Sequence, residues 1–264
     1  MSFDKPTLTI TEKTENMTKE EAIEEIEKLK KKNGILQGIV TKLKRDKVVN
    51  NSCHELSHIR KSVFDTGKTA PTPIFLVIDN VYSNPMETRN HILTQDFKVR
   101  GNYPGQRTVS FATTELKDMI QKWIEPFGGK ITQFPMGKED YNGAFQYTTS
   151  RDRSWFHVDS WNNWAGVLYM TPDAPVNGGT GLYRYKDGTR FEWEQKTRNN
   201  KKEMDDASQD VSKWELVDKV GNVFNRLILF NANHFHCSMD YFGNNSNDGR
   251  LFQVFFFSTE RQQC

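Results

Sequence analysis

The chain has 264 residues and a mass of 30.7 kDa, the size of one large domain with an appendage rather than of two full domains. Its 36 Lys and Arg nearly balance 34 Asp and Glu, and the net charge of +2 lacks the basic surplus of a nucleic-acid binder. No apolar run approaches the roughly 20 residues of a membrane span, and the N-terminal MSFDKPTLTITEKTEN has acidic residues and no apolar stretch, unlike a secretory leader. The three cysteines, Cys53, Cys237 and Cys264, are odd in number and far apart, which predicts a reduced, cytoplasmic protein. Mean hydropathy is low at −0.74, but residues 18–50 and 186–220 hold much of the charge. The 18 Phe, 8 Tyr and 6 Trp are enough to fill a core elsewhere.

Residues 1–17 read as a disordered N-terminus and 18–50 as a helical arm. In KEEAIEEIEKLKKKNGILQGIVTKLKRDK (19–47), heptads place Ile26, Asn33 and Val40 at a, and Ala22, Leu29, Leu36 and Leu43 at d. β-branched a residues with Leu at d favour a parallel two-stranded coil, and a buried Asn at a sets register. A homodimer through Ala22–Leu43, with Thr18 as helix cap, is therefore expected. The alternative is an amphipathic helix packed on its own domain; Gly34 and Gly38 support it, each costing about 1 kcal/mol relative to Ala. Residues 51–73 read as helix and linker. Cys53, His54 and His58 have a spacing that can bind metal, although a solvated helix face explains them more simply.

Beyond the linker, IFLVIDN (74–80) reads as a strand, Asn84-Pro85 opens a helix to about Leu93, and TTELKDMIQKWI (113–124) reads as an amphipathic helix with a Thr cap. NYPGQRT (102–108) reads as a Pro-Gly turn that needs no function, with Arg107 within reach of the mouth of any nearby site. Then come short strand-like runs: KITQF, GAFQYTT, SWFHVD, WAGVLYM, TGLYRY, VFNRLILF, HFHCS and LFQVFFF. Many short strands after two helices predict a mainly β (α+β) domain over 74–260. Its expected architecture is a double-stranded β-helix (jelly roll) with flanking helices, interrupted by a polar insertion at 186–220.

In SWFHVDSW (154–161), His157 and Asp159 stand at i and i+2 and project from one face of a strand. NHFHCS supplies a second imidazole, His234 or His236, and two His with one carboxylate form the facial triad of non-haem Fe(II) oxygenases. Arg250 opens the apolar run GRLFQVFFF. A buried Arg there needs an anion, which a dicarboxylate cosubstrate would supply, whereas an exposed Arg at a strand end would need none.

HVD (157–159), WAGVLYM (164–170), GGTGLY (178–183), HCS (236–238) and GRLFQVFFF (249–257) resemble, in this order, the 2-oxoglutarate/Fe(II) oxygenases of the prolyl-4-hydroxylase type. FLVIDNVYSNPMETRNHIL is similar to the leader of phage and bacterial relatives, and the likeness spans roughly residues 74–258. It implies His157, Asp159 and His236 as iron ligands. It implies Arg250, Tyr169 and Tyr147 as contacts of 2-oxoglutarate, with core packing the alternative for both tyrosines. It also implies O2 as oxidant, ascorbate as an optional reductant, release of succinate and CO2, and a small-molecule or peptidyl substrate in the cytoplasm, that of a host if the gene is viral. Halogenases on this fold replace the acidic ligand, so the retained Asp159 implies hydroxylation. Two competing readings are a non-enzymatic jelly-roll scaffold or virion-type protein dimerised by the coiled coil, and a cupin-type metal enzyme without 2-oxoglutarate.

Overall fold

A strand with apolar residues at every position must be covered on both faces, and the chain's most apolar runs take that place in the fold. The computed structural model describes residues 23, 24, 27–29, 31 and 73–261. The chain divides into two compact units, Met1–Thr69 and Ala70–Cys264. In the first, the described residues are helical and exposed, and Leu29 is the one assigned heptad position among them. The predicted dimer interface and the Cys53/His54/His58 group otherwise lie outside the described residues.

The second unit is mainly antiparallel β. Its larger sheet contains β1 (Phe75–Asp79), β2 (Gln106–Ser110), β3 (Ile131–Gln133), β4 (Ala144–Thr148), β5 (Trp164–Tyr169), β8 (Arg226–Asn231) and β10 (Arg250–Thr259). The order is β1-β8-β5-β10-β4-β2, with β3 on the far end of β10. A smaller sheet has the order β7-β6-β9, from β6 (Thr180–Tyr185), β7 (Trp214–Val220) and β9 (His236–Ser238). The helices are α1 (Pro85–Leu93), α2 (Thr114–Gly128) and α3 (Gln195–Asp206). No described helix is long and apolar enough to cross a membrane.

Side-chain alternation sorts the larger sheet into two faces. Trp164 and Leu168 of β5, Leu227 and Leu229 of β8, and Leu251, Phe255 and Phe257 of β10 pack with Ile92 of α1 and Ile120 and Ile124 of α2. The residues between them, Ala165, Tyr169, Ile228, Phe230, Phe252 and Val254, turn inward toward Leu182 of the smaller sheet. Both faces of β10 are thus buried, which explains why apolar residues occupy successive positions of Leu251–Phe257 with Gln253 the one exception. α2 starts at the predicted cap, where the Thr113 hydroxyl accepts from the Leu116 N–H at 3.2 Å, and extends one turn past the predicted end.

Two expectations are corrected here. NYPGQRT is more than a turn, since Gln106–Ser110 forms edge strand β2 beside β4. The 186–220 segment is not insertion throughout: residues 186–213 lie between β6 and β7, but its last seven residues are β7, paired along β6. Polarity hid this strand because only Trp214 is buried along it, while its outer positions meet solvent. Met204 and Ala207, at the end of α3, pack with Trp214, Tyr185 and Phe156 on the outside of the smaller sheet.

Ile120 is fully buried between α2 and the sheet. Ile120→Ala should lower unfolding stability by about 2–5 kcal/mol through a lost contact and a residual cavity, and Thr113→Ala by about 1 kcal/mol through the lost cap. Urea titrations with unchanged m-values would check both.

Candidate metal centre

The segment carrying His157 and Asp159 forms no named strand, yet it adds to the free edge of β9. His157 and His236 exchange backbone hydrogen bonds, N–H to O at 3.1 Å and 2.9 Å in the two directions. The Asp159 N–H donates to the Ala232 carbonyl at 2.8 Å. This pairing brings the ligand-capable atoms of His157, Asp159 and His236 within 4.8 Å of one another. His234 does not join them. Its ring packs edge-on to Phe191, and its Nδ1 meets the Phe235 carbonyl at 3.0 Å. Of the two histidines that the sequence left open, the fold brings His236 and not His234 to the cluster.

The hydrogen bonds also determine which ring nitrogen is available. Nδ1 of His157 lies 2.8 Å from the Trp155 carbonyl, and Nδ1 of His236 lies 2.8 Å from the His234 carbonyl. A carbonyl oxygen only accepts, so Nδ1 carries the proton and the neutral ring offers the Nε2 lone pair to the cluster. Burial, aided by the adjacent His236, pushes the His157 pKa down to about 4, so His157 is neutral at physiological pH. Burial raises the pKa of Asp159, but hydrogen bonding and charge from His236, with His157 and Arg107, outweigh it and hold the carboxyl below its usual range. His236 Nε2 stands 3.2 Å from Asp159 Oδ2, a contact that a proton or a cation must bridge. Two ligands about 2.1 Å from one metal and at right angles would stand about 3 Å apart, so this edge of the cluster already has metal-site dimensions.

The cluster opens into a cavity between the two sheets, lined by Trp155, Trp161, Val167, Phe252, Thr180 and Arg107 among others. Trp164 is on the helix-covered face instead. None of the described residues of 186–220 lines this cavity.

Arg250 is fully buried at the start of β10. Its Nε donates to the Gly178 carbonyl at 2.7 Å and its Nη2 to the Gly179 carbonyl at 3.3 Å, while the guanidinium lies 4.2 Å from the centre of the Phe252 ring. The turn that offers these carbonyls needs its glycines to pack: a Cβ on Gly179 would stand 2.0 Å from the Val220 carbonyl, and one on Gly178 2.6 Å from Phe242. Arg250 Nη1, Thr148 Oγ1 and Tyr241 Oη are buried with no hydrogen-bond partner among the described residues. Thr148 is the cross-strand partner of Arg250, and Tyr241 lies close enough to feel its charge. Buried polar groups are seldom left unpaired. One cation and two nearby hydroxyls, all without partners, are groups that could hold an anion.

The predicted tyrosines have different locations. Tyr169 faces inward beside Arg250, and its hydroxyl donates to Thr180 Oγ1 at 2.9 Å. Tyr147 does not reach the cavity. Alternation along β4 turns Gln146 inward and Tyr147 onto the helix-covered face, where it meets Phe97 at 5.1 Å between ring centroids. Thr148 and Tyr241 escaped sequence reasoning. Thr148 was detectable, one strand step from Gln146 on the same face, whereas nothing local marks Tyr241.

The arrangement of two antiparallel sheets is shared with known structures. The fold matches the crystal structure of HygX from Streptomyces hygroscopicus with nickel and 2-oxoglutarate bound, at a TM-score of 0.50 and 14% identity, covering 72% of this chain and 84% of that one. Looser matches include HygX with iron bound, at a TM-score of 0.48, 12% identity and coverage of 72% and 83%. Another is a prolyl hydroxylase from Trichoplax adhaerens in complex with a hypoxia inducible factor peptide fragment, at 0.38, 13% identity and coverage of 78% and 91%. No curated protein matches the chain. Residues 65–257 match the model of DUF6445, a family of unknown function, and the chain belongs to that family.

Replacing His236 by Ala should weaken Co(II) binding by about a hundredfold or more, since second-shell changes alone cost 10–100-fold. His234→Ala should leave affinity within about a factor of ten. The visible absorption of bound Co(II), titrated on variants with native circular dichroism, would check this.

Proposed function

We propose that the protein is a non-haem Fe(II)- and 2-oxoglutarate-dependent dioxygenase that hydroxylates a substrate C–H bond. The observation that carries this reading is the Arg250 guanidinium, buried with Nη1 unpartnered beside the hydroxyls of Thr148 and Tyr241. A metal enzyme without an anionic cosubstrate has no use for such a group, because an unneutralised buried cation is costly.

In this reading His157, Asp159 and His236 hold the iron on one side and leave its other positions open. Arg250, Thr148 and Tyr241 hold the distal carboxylate of 2-oxoglutarate through charge-assisted hydrogen bonds. Bound Fe(II) and 2-oxoglutarate would supply the oxidative chemistry, in which O2 is consumed, succinate and CO2 leave, and a C–H bond becomes C–OH. The chain's own contribution is positional. The Trp155 and His234 carbonyls hold the two imidazoles in the tautomer that a metal needs. Gly178 and Gly179 orient Arg250 without neutralising it, and Tyr169 braces Thr180, which stands 3.5 Å from Arg250 Nη2. Trp155, Val167 and Phe252 give the cavity apolar walls that exclude water. The retained Asp159 favours hydroxylation over halogenation. The likeness of the fold to HygX, whose crystal holds 2-oxoglutarate and nickel, supports the same reading.

Anaerobic Fe(II) followed by 2-oxoglutarate should produce the weak visible band of the bidentate chelate. Arg250→Ala should require about ten- to a hundredfold more 2-oxoglutarate to reach it, given the worth of hydrogen bonds to charged groups. His157→Ala should abolish it at any concentration. Metal binding with no band would overturn cosubstrate use, and failure of the folded protein to bind iron would overturn the enzyme reading.

A further inference from the structure

A buried cation in the cavity wall, Arg107, is left unexplained by the iron and cosubstrate sites. Arg107, on β2, is 5% exposed. Its guanidinium lies 3.6 Å from the centre of the Tyr103 ring and 4.9 Å from that of Tyr141. Its Nε and Nη2 both donate to Gln146 Oε1, which uses one side of the fork. Among the described residues Arg107 forms no ion pair, and its Nη1 donates no hydrogen bond, although it lines the cavity. The nearest carboxylate to exert an influence, Asp159, is committed to the metal cluster.

Arg107 and Arg250 occupy different places. Arg107 pairs across with Gln146, and Gln146 with Phe252 on β10, so the backbones at Arg107 and β10 are two strand spacings apart, roughly 10 Å. The head of Arg250 turns away from β2 toward Gly178 and Gly179 on the opposite sheet. The charges also do not balance. The charged groups lining the cavity are Arg107 and Asp159, and with Arg250 buried beside it the cations outnumber the carboxylate by one. A divalent metal and a dianionic cosubstrate cancel each other, so the surplus remains after both are bound. Gln146 orients Arg107 with a neutral amide where a Glu of the same shape would have neutralised it, and so preserves that charge.

We propose that Arg107 is the substrate-recognition residue, and that the substrate carries a compact anion, carboxylate or phosphate, on a flat or apolar body. This inference rests on the dioxygenase reading. The anion meets the free end of the guanidinium, with Tyr103 and Tyr141 on the ring faces. Trp161, 63% exposed at the cavity wall, covers the body of the substrate next to the iron ligands. The substrate's anion and the cosubstrate's distal carboxylate are then held at separate points, which prevents a second 2-oxoglutarate from filling the substrate position at no cost in geometry.

Ligand-observed NMR with the anaerobic Fe(II)·2-oxoglutarate protein tests this, using benzoate, phenyl phosphate and the uncharged benzamide as probes. At least one anion should bind about tenfold or more tightly than benzamide, and whichever of the two binds better identifies the carboxylate or the phosphate class. Arg107→Met and Gln146→Glu should both erase that preference while the visible chelate band persists. The second variant neutralises Arg107 without removing it and guards against a folding defect in the first. Equal binding of benzamide, no anion binding, or a preference that survives both variants would overturn the proposal. Displacement of benzoate by excess 2-oxoglutarate, or loss of the chelate band in Arg107→Met, would reassign Arg107 to the cosubstrate and leave the dioxygenase reading standing. A wild-type protein that never forms the band would instead sink that reading itself.

Discussion

Two backbone hydrogen bonds exchanged between His157 and His236 hold the centre together. They join a short irregular segment to a three-residue strand, neither of which could persist alone. Because side chains on paired strands face the same way in register, this bridge aims His157 and His236 at one point, and Asp159 follows two residues on. The third backbone contact, Asp159 to Ala232, ties the same segment to the turn after β8. The smaller sheet and the apolar walls around it therefore serve to keep one edge pairing in register.

Around that pairing, the cavity treats its cations in a consistent way. Arg250 is oriented by two glycine carbonyls and Arg107 by a glutamine amide. Neutral acceptors orient a guanidinium without cancelling its charge. In a cavity of low dielectric, that uncancelled charge costs stability in the empty protein and returns as affinity when an anion enters. The histidines follow the converse logic: carbonyls on Nδ1 fix the tautomer, and burial keeps His157 uncharged, so lone pairs rather than protons face the centre.

Much of this was legible along the chain. Strands β1, β3, β4, β5, β6, β8, β9 and β10 and helices α1 and α2 lie where periodicity and capping predict them, because each shows a local pattern. The errors came where local polarity and tertiary role disagree. Gln106–Ser110 and Trp214–Val220 look like a turn and a solvated insertion, yet each is a strand, the first burying Arg107 and Thr108 and the second Trp214. Tyr147 was assigned to the cosubstrate by the family resemblance, but a period of two puts it on the opposite face from Gln146.

The sequence by itself determined the class of fold, the His157–Asp159 pair and the identity of Arg250 as a charge in an apolar strand, because each is written in spacing or composition over a few residues. Only the tertiary structure decided between His234 and His236, exchanged Tyr147 for Gln146 at the cavity wall, and gathered Thr148 and Tyr241 at Arg250. It also revealed that Arg107 is buried. Those outcomes depend on which strand edges meet and in what register. That is set by the closure of two sheets over one core, a condition on residues far apart in the chain that no local pattern records.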